Sequence, residues 1–344
     1  MANLSPQALS PPCEIVIGGE CYWARYLGPE DADALVELHR AVFGGSFCHQ
    51  WYQWKYHNGQ NPSLGLWTHT GQLIAHCGGV KRELFLKDNP VHGLQITDVM
   101  VHPLWRGILS RRGPFYWVSH LLYNNQIGNG RSAQVGYGFP SQRHLQLAIK
   151  LHLLIDGGTI WQMHWPNGAL PKTWFWHYDI LRANEPRWSH AIEHAWCKMQ
   201  AQSSHLYLGN RNSSVSQWRY AQHPEHQYFY LRLKRPWSSI TQGVAIVREY
   251  PTANEGLLWV DWIGPPGLLN NALGMVRQYA NQKQYTGVVA WGSKAIRDAF
   301  RESSQYTELP IAGIGIPIQS CEVNVGQSVS KKPWWWMAGD TDFL

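Results

Sequence analysis

Arginines and glycines cluster directly after an apolar segment of the sequence that ends at a proline. Thr97 to Val101 predicts a buried strand, Pro103 ends it, and Pro114 suits the first turn of a helix. The residues between them that favour an anion are Arg106, Gly107, Arg111, Arg112 and Gly113. A helix start offers unpaired N–H groups and a positive dipole end, and arginine binds phosphate through its planar fork of donors. The segment predicts a phosphate-binding loop, with a solvated surface turn as the alternative.

Composition limits the class of protein. Of 344 residues 44% are hydrophobic and 15% charged, which excludes a disordered chain. The net charge of +6 comes with no basic stripe outside residues 106–112, so we expect a small acidic ligand rather than nucleic acid. No apolar run is long enough to cross a bilayer and no secretory signal is visible, so we expect no membrane association and a cytoplasmic location. Six cysteines without CxxC spacing predict reduced, mostly buried thiols, with no disulfide or metal framework.

Periodicity and turn residues predict a mixed order of elements. A helix is expected over 29–43, closed by Gly44 and Gly45, followed by an antiparallel meander. Its strands are predicted at 65–68, 73–80, 82–86 and 95–101. A helix over 114–125, a strand over 133–139 and a helix capped by Ser141 follow.

Parts of this pattern recur in the second half of the chain. Trp54-Lys55-Tyr56 recurs as Trp218-Arg219-Tyr220, and Asp98 recurs at nearly the same spacing as Asp261. The second copy is shorter after its aspartate, in the interval that holds the arginine-glycine loop in the first copy. The repeat predicts a duplicated fold in which only the first copy keeps the phosphate loop, with chance similarity as the alternative.

Two junctions resemble the GNAT acetyltransferase superfamily. Val101-His102-Pro103-Leu104-Trp105-Arg106-Gly107 resembles the family's fourth strand entering its pyrophosphate loop, and Gly138-Phe139-Pro140-Ser141 resembles its fifth strand entering the next helix. With the repeat, the chain resembles tandem GNAT proteins. The resemblance implies an α+β fold of two GNAT-like domains, each a mostly antiparallel central sheet flanked by helices. The expected ranges are a tail at 1–13, an acyl-CoA domain at 14–165, a connector at 166–205, a degenerate domain at 206–326 and an aromatic tail at 327–344, which we expect to pack onto the body.

The resemblance implies that acetyl-CoA or another acyl-CoA is the co-substrate, without a metal. A backbone N–H of Met100 or Val101 would bind the thioester carbonyl. The implied cofactor-binding residues are Met100, Val101, Arg106, Gly107, Arg111, Arg112 and Gly113. The glycine spacing departs from the family's R/Q-x-x-G-x-G/A, and Pro114 removes one N–H.

Two side chains are candidate catalysts. Asp98 would act as a base, with burial expected to raise its pKa, although its counterpart Asp261 in the loop-less copy favours a shared folding role. The terminal carboxylate of Leu344 is a second candidate base, by analogy with N-myristoyltransferase. His144 would act as the acid, because Ala148 occupies the position of the family's tyrosine; a capping histidine is the alternative reading of His144. Tyr137 at the end of its strand is a further candidate acid.

The preferred function is an acyl-CoA dependent N-acyltransferase acting on an amine-bearing small molecule, sugar or peptide; a homodimer is compatible with it. The first alternative is a catalytically degenerate tandem protein that binds a ligand or partner. The second is an aminoacyl transferase that uses charged tRNA, which the retained loop and weak basic character disfavour.

Overall fold

The computed structural model describes residues 10–45, 47–86, 89–107, 112–168, 176–250, 256–300, 306–321 and 333–341. The chain forms two compact units. The first unit contains Met1–Glu83, Val91–Gly157 and Gly313–Lys331, and the second contains Leu84–Pro90, Gly158–Ala312 and Lys332–Leu344. Each unit therefore includes a segment from the other half of the sequence. The domain ranges predicted from the sequence are each continuous, and the functions assigned to them stay predictions. No helix in the described ranges is long and apolar enough to cross a membrane.

The first unit is built on the strands that begin the chain. They are β1 (Cys13–Ile17), β2 (Glu20–Tyr26), β3 (Ser63–Trp67), β4 (Leu73–Leu86), β5 (Asn89–Val101) and β6 (Val135–Tyr137). They lie side by side in chain order, antiparallel from β1 to β4 and parallel between β5 and β6. The helices are α1 (Ala32–Phe43), α2 (His49–Tyr56), α3 (Pro114–Gln126) and α4 (Gln142–Lys150).

Local sequence explains most of these elements. Leu35 and Leu38 of α1 are buried on one face, and Gly44 ends the helix at a φ of 71° that glycine adopts without strain. Ser141 caps α4 as predicted, its Oγ accepting from the backbone N–H of His144. Two predictions need correction: residues 73–80 and 82–86 form one strand, and residues 49–56 form a helix that was not predicted.

The second unit repeats the strand pattern around a larger core. Its strands are β7 (Leu154–Pro166, whose first residues belong to the first unit), β8 (His177–Leu181), β9 (Tyr207–Gly209), β10 (Phe229–Lys234), β11 (Thr241–Glu249), β12 (Leu257–Ile263), β13 (Gly287–Gly292), β14 (Thr307–Pro317, shared between the units) and β15 (Trp334–Trp335). The central order is β14-β7-β13-β12-β11-β10-β8, with only β12 and β13 parallel among the pairs whose register is described. Its helices are α5 (Pro186–Ala201), α6 (Ser213–Ser216), α7 (Leu269–Gln282) and α8 (Lys294–Phe300). The expected α+β class with two mostly antiparallel sheets is confirmed.

The aromatic tail packs into the second unit, as predicted. Trp334 to Thr341 is almost completely buried, and β15 pairs in parallel with β9. Arg211 joins this tail to the sheet, because its Nε donates to Asp261 Oδ1 at 2.9 Å and its Nη2 donates to Asp340 Oδ2. All three charged groups are nearly inaccessible to solvent.

We predict that Asp340→Asn destabilises the protein, since it leaves Arg211 with one carboxylate instead of two. Because Arg211 keeps Asp261 as a partner, the expected cost is that of hydrogen bonds to a charged group, about 1.5–3 kcal/mol. Asp33→Asn, which breaks the exposed pair with His49, is the control and should cost at most about 1 kcal/mol. Urea unfolding of the full chain followed by circular dichroism measures both; equal losses would contradict the role given to the tail.

Candidate active site

The two parallel strands of the first unit diverge before they end. Gly93, Leu94 and Gln95 of β5 pair with Val135, Gly136 and Tyr137 of β6. Beyond this point β5 continues to Val101, while Gly138 pairs instead with Gly315, each donating an N–H to the other's carbonyl at 2.9 Å. The last part of β5, from Ile96 to Val101, therefore has no β6 partner among the described pairs.

Asp98 distorts β5 within this last part of the strand. Its φ of 46° lies in the left-handed region, which costs a non-glycine residue about 1–2 kcal/mol. Three neighbours hold it there. Lys55 Nζ lies 3.0 Å from Oδ1, Tyr56 OH donates to Oδ2 at 2.6 Å, and His76 Nδ1 lies 2.7 Å from the Asp98 carbonyl oxygen.

The expected rise in the pKa of Asp98 is wrong. Burial alone raises the pKa, but attraction by Lys55 and the hydrogen bond from Tyr56 outweigh it, so the pKa lies below its ordinary value. Only 8% of the carboxylate side chain is exposed. Asp98 is therefore ionised and doubly bound near neutral pH, which suits a residue that fixes the strand better than one that accepts protons.

His76 completes this buried network. Burial lowers its pKa to about 4, so the ring is neutral at pH 7. Because Nδ1 faces a carbonyl, it carries the proton, and Nε2 accepts from Ser63 Oγ at 2.6 Å. A glycine is required at position 78, since a Cβ on Gly78 would lie 2.2 Å from the Tyr56 hydroxyl. The sheet is thus shaped to admit the tyrosine that binds Asp98.

The predicted phosphate loop begins with a short 3-10 turn over Pro103–Trp105. Arg106 is exposed and its Nε donates to the Val101 carbonyl at 2.9 Å, which ties the arginine to the end of β5. Gly107 has open space around its α-carbon, and Arg111 lies outside the described residues. Gly113 precedes α3 and Pro114 is its first residue, as predicted.

The remaining predicted residues lie around this loop. Arg112 sits with its guanidinium 5.6 Å from the Tyr116 ring. Met100 is 1% exposed, whereas Val101 is half-buried. His144 is exposed at the start of α4, and partial burial, Arg143 and Arg106 lower its pKa. The structure therefore brings Arg106 and His144 within electrostatic range of each other.

The second unit repeats the tyrosine–aspartate contact. Tyr220 OH donates to Asp261 Oδ2 at 2.8 Å, as Tyr56 does to Asp98. Arg211 takes the part of Lys55, and burial together with Asp340 raises the pKa of Asp261 despite that arginine. The tyrosine and the aspartate, which recur as separate motifs in the sequence, are therefore hydrogen-bonded to each other in both units.

The tail lies where the second unit's parallel strands diverge. Pairing of β12 with β13 stops at Trp259 and Ala290. Past that point Gly292 pairs with Met337, and the Ser293 N–H donates to the Trp336 carbonyl at 2.9 Å. On the β12 side, a Cβ on Gly339 would lie 3.3 Å from the Asp261 Cβ and 2.2 Å from the Tyr220 hydroxyl. The tail contacts both strand ends.

Sequence reasoning missed Lys55, Tyr56 and His76 as neighbours of Asp98. The signal for Tyr56 was present, because this tyrosine and the aspartate recur together in the second copy as Tyr220 and Asp261. The recurrence did not signal Lys55, since its counterpart Arg219 contacts the Thr341 carbonyl and Arg211 pairs with Asp261 instead. Nothing marked His76 among 17 histidines.

One group of described side chains could hold a metal ion. Glu14, Cys21 and His69 bring ligand atoms within 4.8 Å of one another at the surface, near the β1 end of the sheet and away from β5 and β6. The described cysteines form no disulfide, and of them only Cys77 is buried, so the expectation of mostly buried thiols is wrong.

Comparisons with known proteins agree with the geometry. Residues 24–125 match the family model of the acetyltransferase (GNAT) domain. This part of the chain, most of which lies in the first unit, is therefore similar to a GNAT domain. A comparison with curated protein sequences gives no significant match.

Solved acyltransferase structures share the fold over most of the chain. A probable N-acyltransferase from Enterococcus faecalis aligns with a TM-score of 0.64 at 11% identity, covering 88% of this chain and 73% of that one. A GCN5-related N-acetyltransferase from Anabaena variabilis gives 0.62 at 13% identity, covering 88% and 74%. N-myristoyltransferase from Saccharomyces cerevisiae, solved with myristoyl-CoA, gives 0.58 at 9% identity, covering 91% and 81%. The chain therefore shares its fold with these structures over most of its length, and the duplicated origin of its two units stays a prediction.

The ion pair between Lys55 and Asp98 predicts how stability depends on pH. The folded pKa of Asp98 is depressed, so its stabilisation is present above the unfolded value of about 3.9 and is lost as pH falls through the folded pKa. Asp98→Asn should flatten this acid slope, and asparagine tolerates the left-handed backbone. Urea unfolding between pH 6 and 3 measures the slope.

Asp33→Asn is the control for that measurement, since Asp33 is exposed on α1. An unchanged acid slope in Asp98→Asn, or the same flattening in the control, would contradict the Lys55–Asp98 account.

Proposed function

We propose that this protein is an acyl-CoA dependent N-acyltransferase whose first unit holds the acyl-CoA. The observation that carries the proposal is that the pairing of β5 with β6 ends at Gln95 and Tyr137, while the chain runs on from β5 through the loop that holds Arg106 to the start of α3 at Pro114. Arg106, Arg112 and the loop backbone at Gly107 and Gly113 would bind the pyrophosphate. Arg111 belongs to the same proposal from its sequence position.

The reaction would form a C–N bond and break a C–S bond. The backbone N–H of Met100 or Val101 would polarise the thioester carbonyl while a neutral amine attacks its carbon. The amine then loses a proton and the leaving thiolate gains one. We assign proton donation to His144, which lies in electrostatic range of Arg106. A base role for Asp98 stays a prediction beside its positioning role, and Leu344 lies outside the described residues.

We propose that each chain binds only one acyl-CoA, because the second unit differs from the first at the corresponding place. In the second unit the tail contacts both diverging strand ends, at Gly292 and beside Asp261. The second unit also continues from Ile263 to α7 through a short turn with no arginine before Arg277. The acceptor is proposed to be a small molecule, sugar or peptide bearing an amine, in a cytoplasmic protein.

A catalytically degenerate binding protein is the second candidate. Ala148, buried on α4, stands where the family would supply an acid tyrosine. This candidate shares the acyl-CoA site and differs only in turnover, so release of free thiol on addition of amines separates it from the enzyme.

Arg106→Ala should weaken acetyl-CoA binding, because it removes a guanidinium from the entrance to α3. At about 100 times its dissociation constant, a ligand stabilises the native state by roughly 2.7 kcal/mol, which a thermal shift detects. Arg40→Ala on α1 removes the same charge from an exposed helix face and should leave the shift unchanged. No shift with any acyl-CoA in the unmodified protein would refute the cofactor site.

His144→Gln should lower kcat by about 100-fold or more if His144 protonates the thiolate. A general acid must be protonated, so the activity should decline as pH rises through a pKa below 6.5. His49→Gln, on an exposed part of α2, is the control. Full activity of His144→Gln, with an unchanged pH profile, would remove His144 from the mechanism.

A further inference from the structure

Three side chains of the first unit bring metal-ligand atoms together on its surface. Glu14 lies in β1, Cys21 in β2 and His69 in the turn between β3 and β4. A carboxylate oxygen, the free thiol sulfur and an imidazole nitrogen lie within 4.8 Å of one another. Glu14 and His69 are exposed and Cys21 is half-buried, so the cluster is open to solvent. Carboxylate, thiolate and imidazole are the three kinds of side-chain ligand that zinc takes in proteins.

The pairing of β1 with β2 puts Glu14 and Cys21 on the same face of the sheet. Val16 lies directly opposite Cys21, and Glu14 stands two residues before Val16 on the same strand. Successive side chains alternate between the two faces, so Glu14 and Cys21 share one face as diagonal neighbours. Ile15 and Tyr22, their neighbours in the chain, are buried in the core on the other face. The strand pair therefore presents both ligand side chains away from the core.

The turn between β3 and β4 brings His69 to this pair. The register of β2 with β3, continued by two residues past the end of β3, places His69 opposite Cys21. Two backbone hydrogen bonds close the turn, from the Thr68 N–H to the Gln72 carbonyl at 2.9 Å and from the Gly71 N–H to the Thr68 carbonyl at 3.0 Å. The three ligands thus come from backbone segments that the sheet and the turn already hold in place. An ion entering the cluster would have to order little more than side chains.

The surroundings of the cluster are negative. The charges that act on the Cys21 thiol are the carboxylates of Glu14 and Glu20, and the hydrogen bond to Glu14 raises the pKa of the thiol most. A local excess of carboxylates attracts a divalent cation, and the cation in turn favours the thiolate that binds it.

We propose that the first unit binds one zinc ion through Glu14, Cys21 and His69, with water as the fourth ligand. Tetrahedral zinc has bonds of about 2.0–2.3 Å, which place its ligand atoms about 3.3–3.8 Å apart, so small rotations of these surface side chains complete the site. The sulfur ligand favours zinc over magnesium or calcium, which prefer oxygen alone. As the zinc–sulfur bond forms, the S–H bond of Cys21 breaks and its proton passes to solvent.

This site is separate from the proposed acyl-CoA site. Its ligands lie on β1, β2 and the β3–β4 turn, whereas the acyl-CoA proposal uses β5 and the start of α3. The proposal departs from the expectation of no metal framework drawn from the sequence. That expectation rests on cysteine spacing, which does not detect ligands that a sheet brings together from distant parts of the chain.

The test titrates the full, reduced chain, freed of metal by a chelator, with Co²⁺ as a spectroscopic probe and then with Zn²⁺. The parent protein should bind one Co²⁺ per chain saturably and show the sulfur-to-cobalt charge-transfer absorption of a thiolate ligand. Zn²⁺ should displace the cobalt and abolish this absorption. Cys21→Ser should lack the absorption, whereas Cys197→Ser, which changes an exposed cysteine of the second unit, should keep it.

Glu14→Gln and His69→Gln test the other two ligands, and both alter exposed side chains, so the fold should persist by circular dichroism. Each should weaken Zn²⁺ binding about 10–100-fold or more, since even the loss of a residue that only supports a ligand has an effect of that size. Glu20→Gln removes the same charge beside Cys21 without removing a ligand, and should weaken binding by less than about threefold. His49→Gln is the matched control for His69.

Three results would overturn the zinc site. The first is the absence of saturable binding at one ion per chain. The second is a charge-transfer absorption that persists in Cys21→Ser. The third is an equal loss of affinity in Glu14→Gln and Glu20→Gln, which would show attraction by surface charge instead of ligation.

Discussion

Both units depend on a buried carboxylate. In each unit it lies in one strand of the parallel pair, beyond the point where the pairing of the two strands ends. In each unit a tyrosine hydroxyl and a cation bind that carboxylate, Tyr56 and Lys55 in the first and Tyr220 and Arg211 in the second. In the first unit the residue also takes a left-handed backbone, held by His76. Strain of this kind persists only where neighbouring contacts determine it. The same contacts orient the strand from which the proposed thioester donor comes.

The two units use the same contact toward different ends. In the second unit, Arg211 binds the carboxylates of Asp261 and Asp340. Asp340 belongs to the tail that lies against β12 and β13. The first unit has Lys55 instead, a smaller cation with one carboxylate partner in the described network. The predicted duplication therefore explains why both units share the contact between tyrosine, aspartate and a cation. The different cation and the tail of the second unit explain why only one acyl-CoA site is proposed.

The sequence predicted the local elements better than the contacts between them. Leu35 and Leu38 marked α1, Ser141 marked the start of α4, and Pro114 marked the start of α3, because periodicity and capping act over a few residues. The helix over His49–Tyr56 was missed, since its aromatic and basic residues show little apolar periodicity.

The electrostatics of the site needed the structure. Burial of Asp98 was foreseen, but the direction of its pKa depended on Lys55, which is 43 residues away in the chain. Such long-range pairings follow from the sheet register, which composition and spacing do not determine.

The number of acyl-CoA molecules bound per chain tests the central claim most directly. Isothermal titration of the full chain with acetyl-CoA, or with a longer acyl-CoA, should give one site per chain. Two equivalent sites would show that the second unit also binds the cofactor despite its tail. If neither acetyl-CoA nor a longer acyl-CoA shows saturable binding, the assignment of the first unit as an acyl-CoA domain is contradicted.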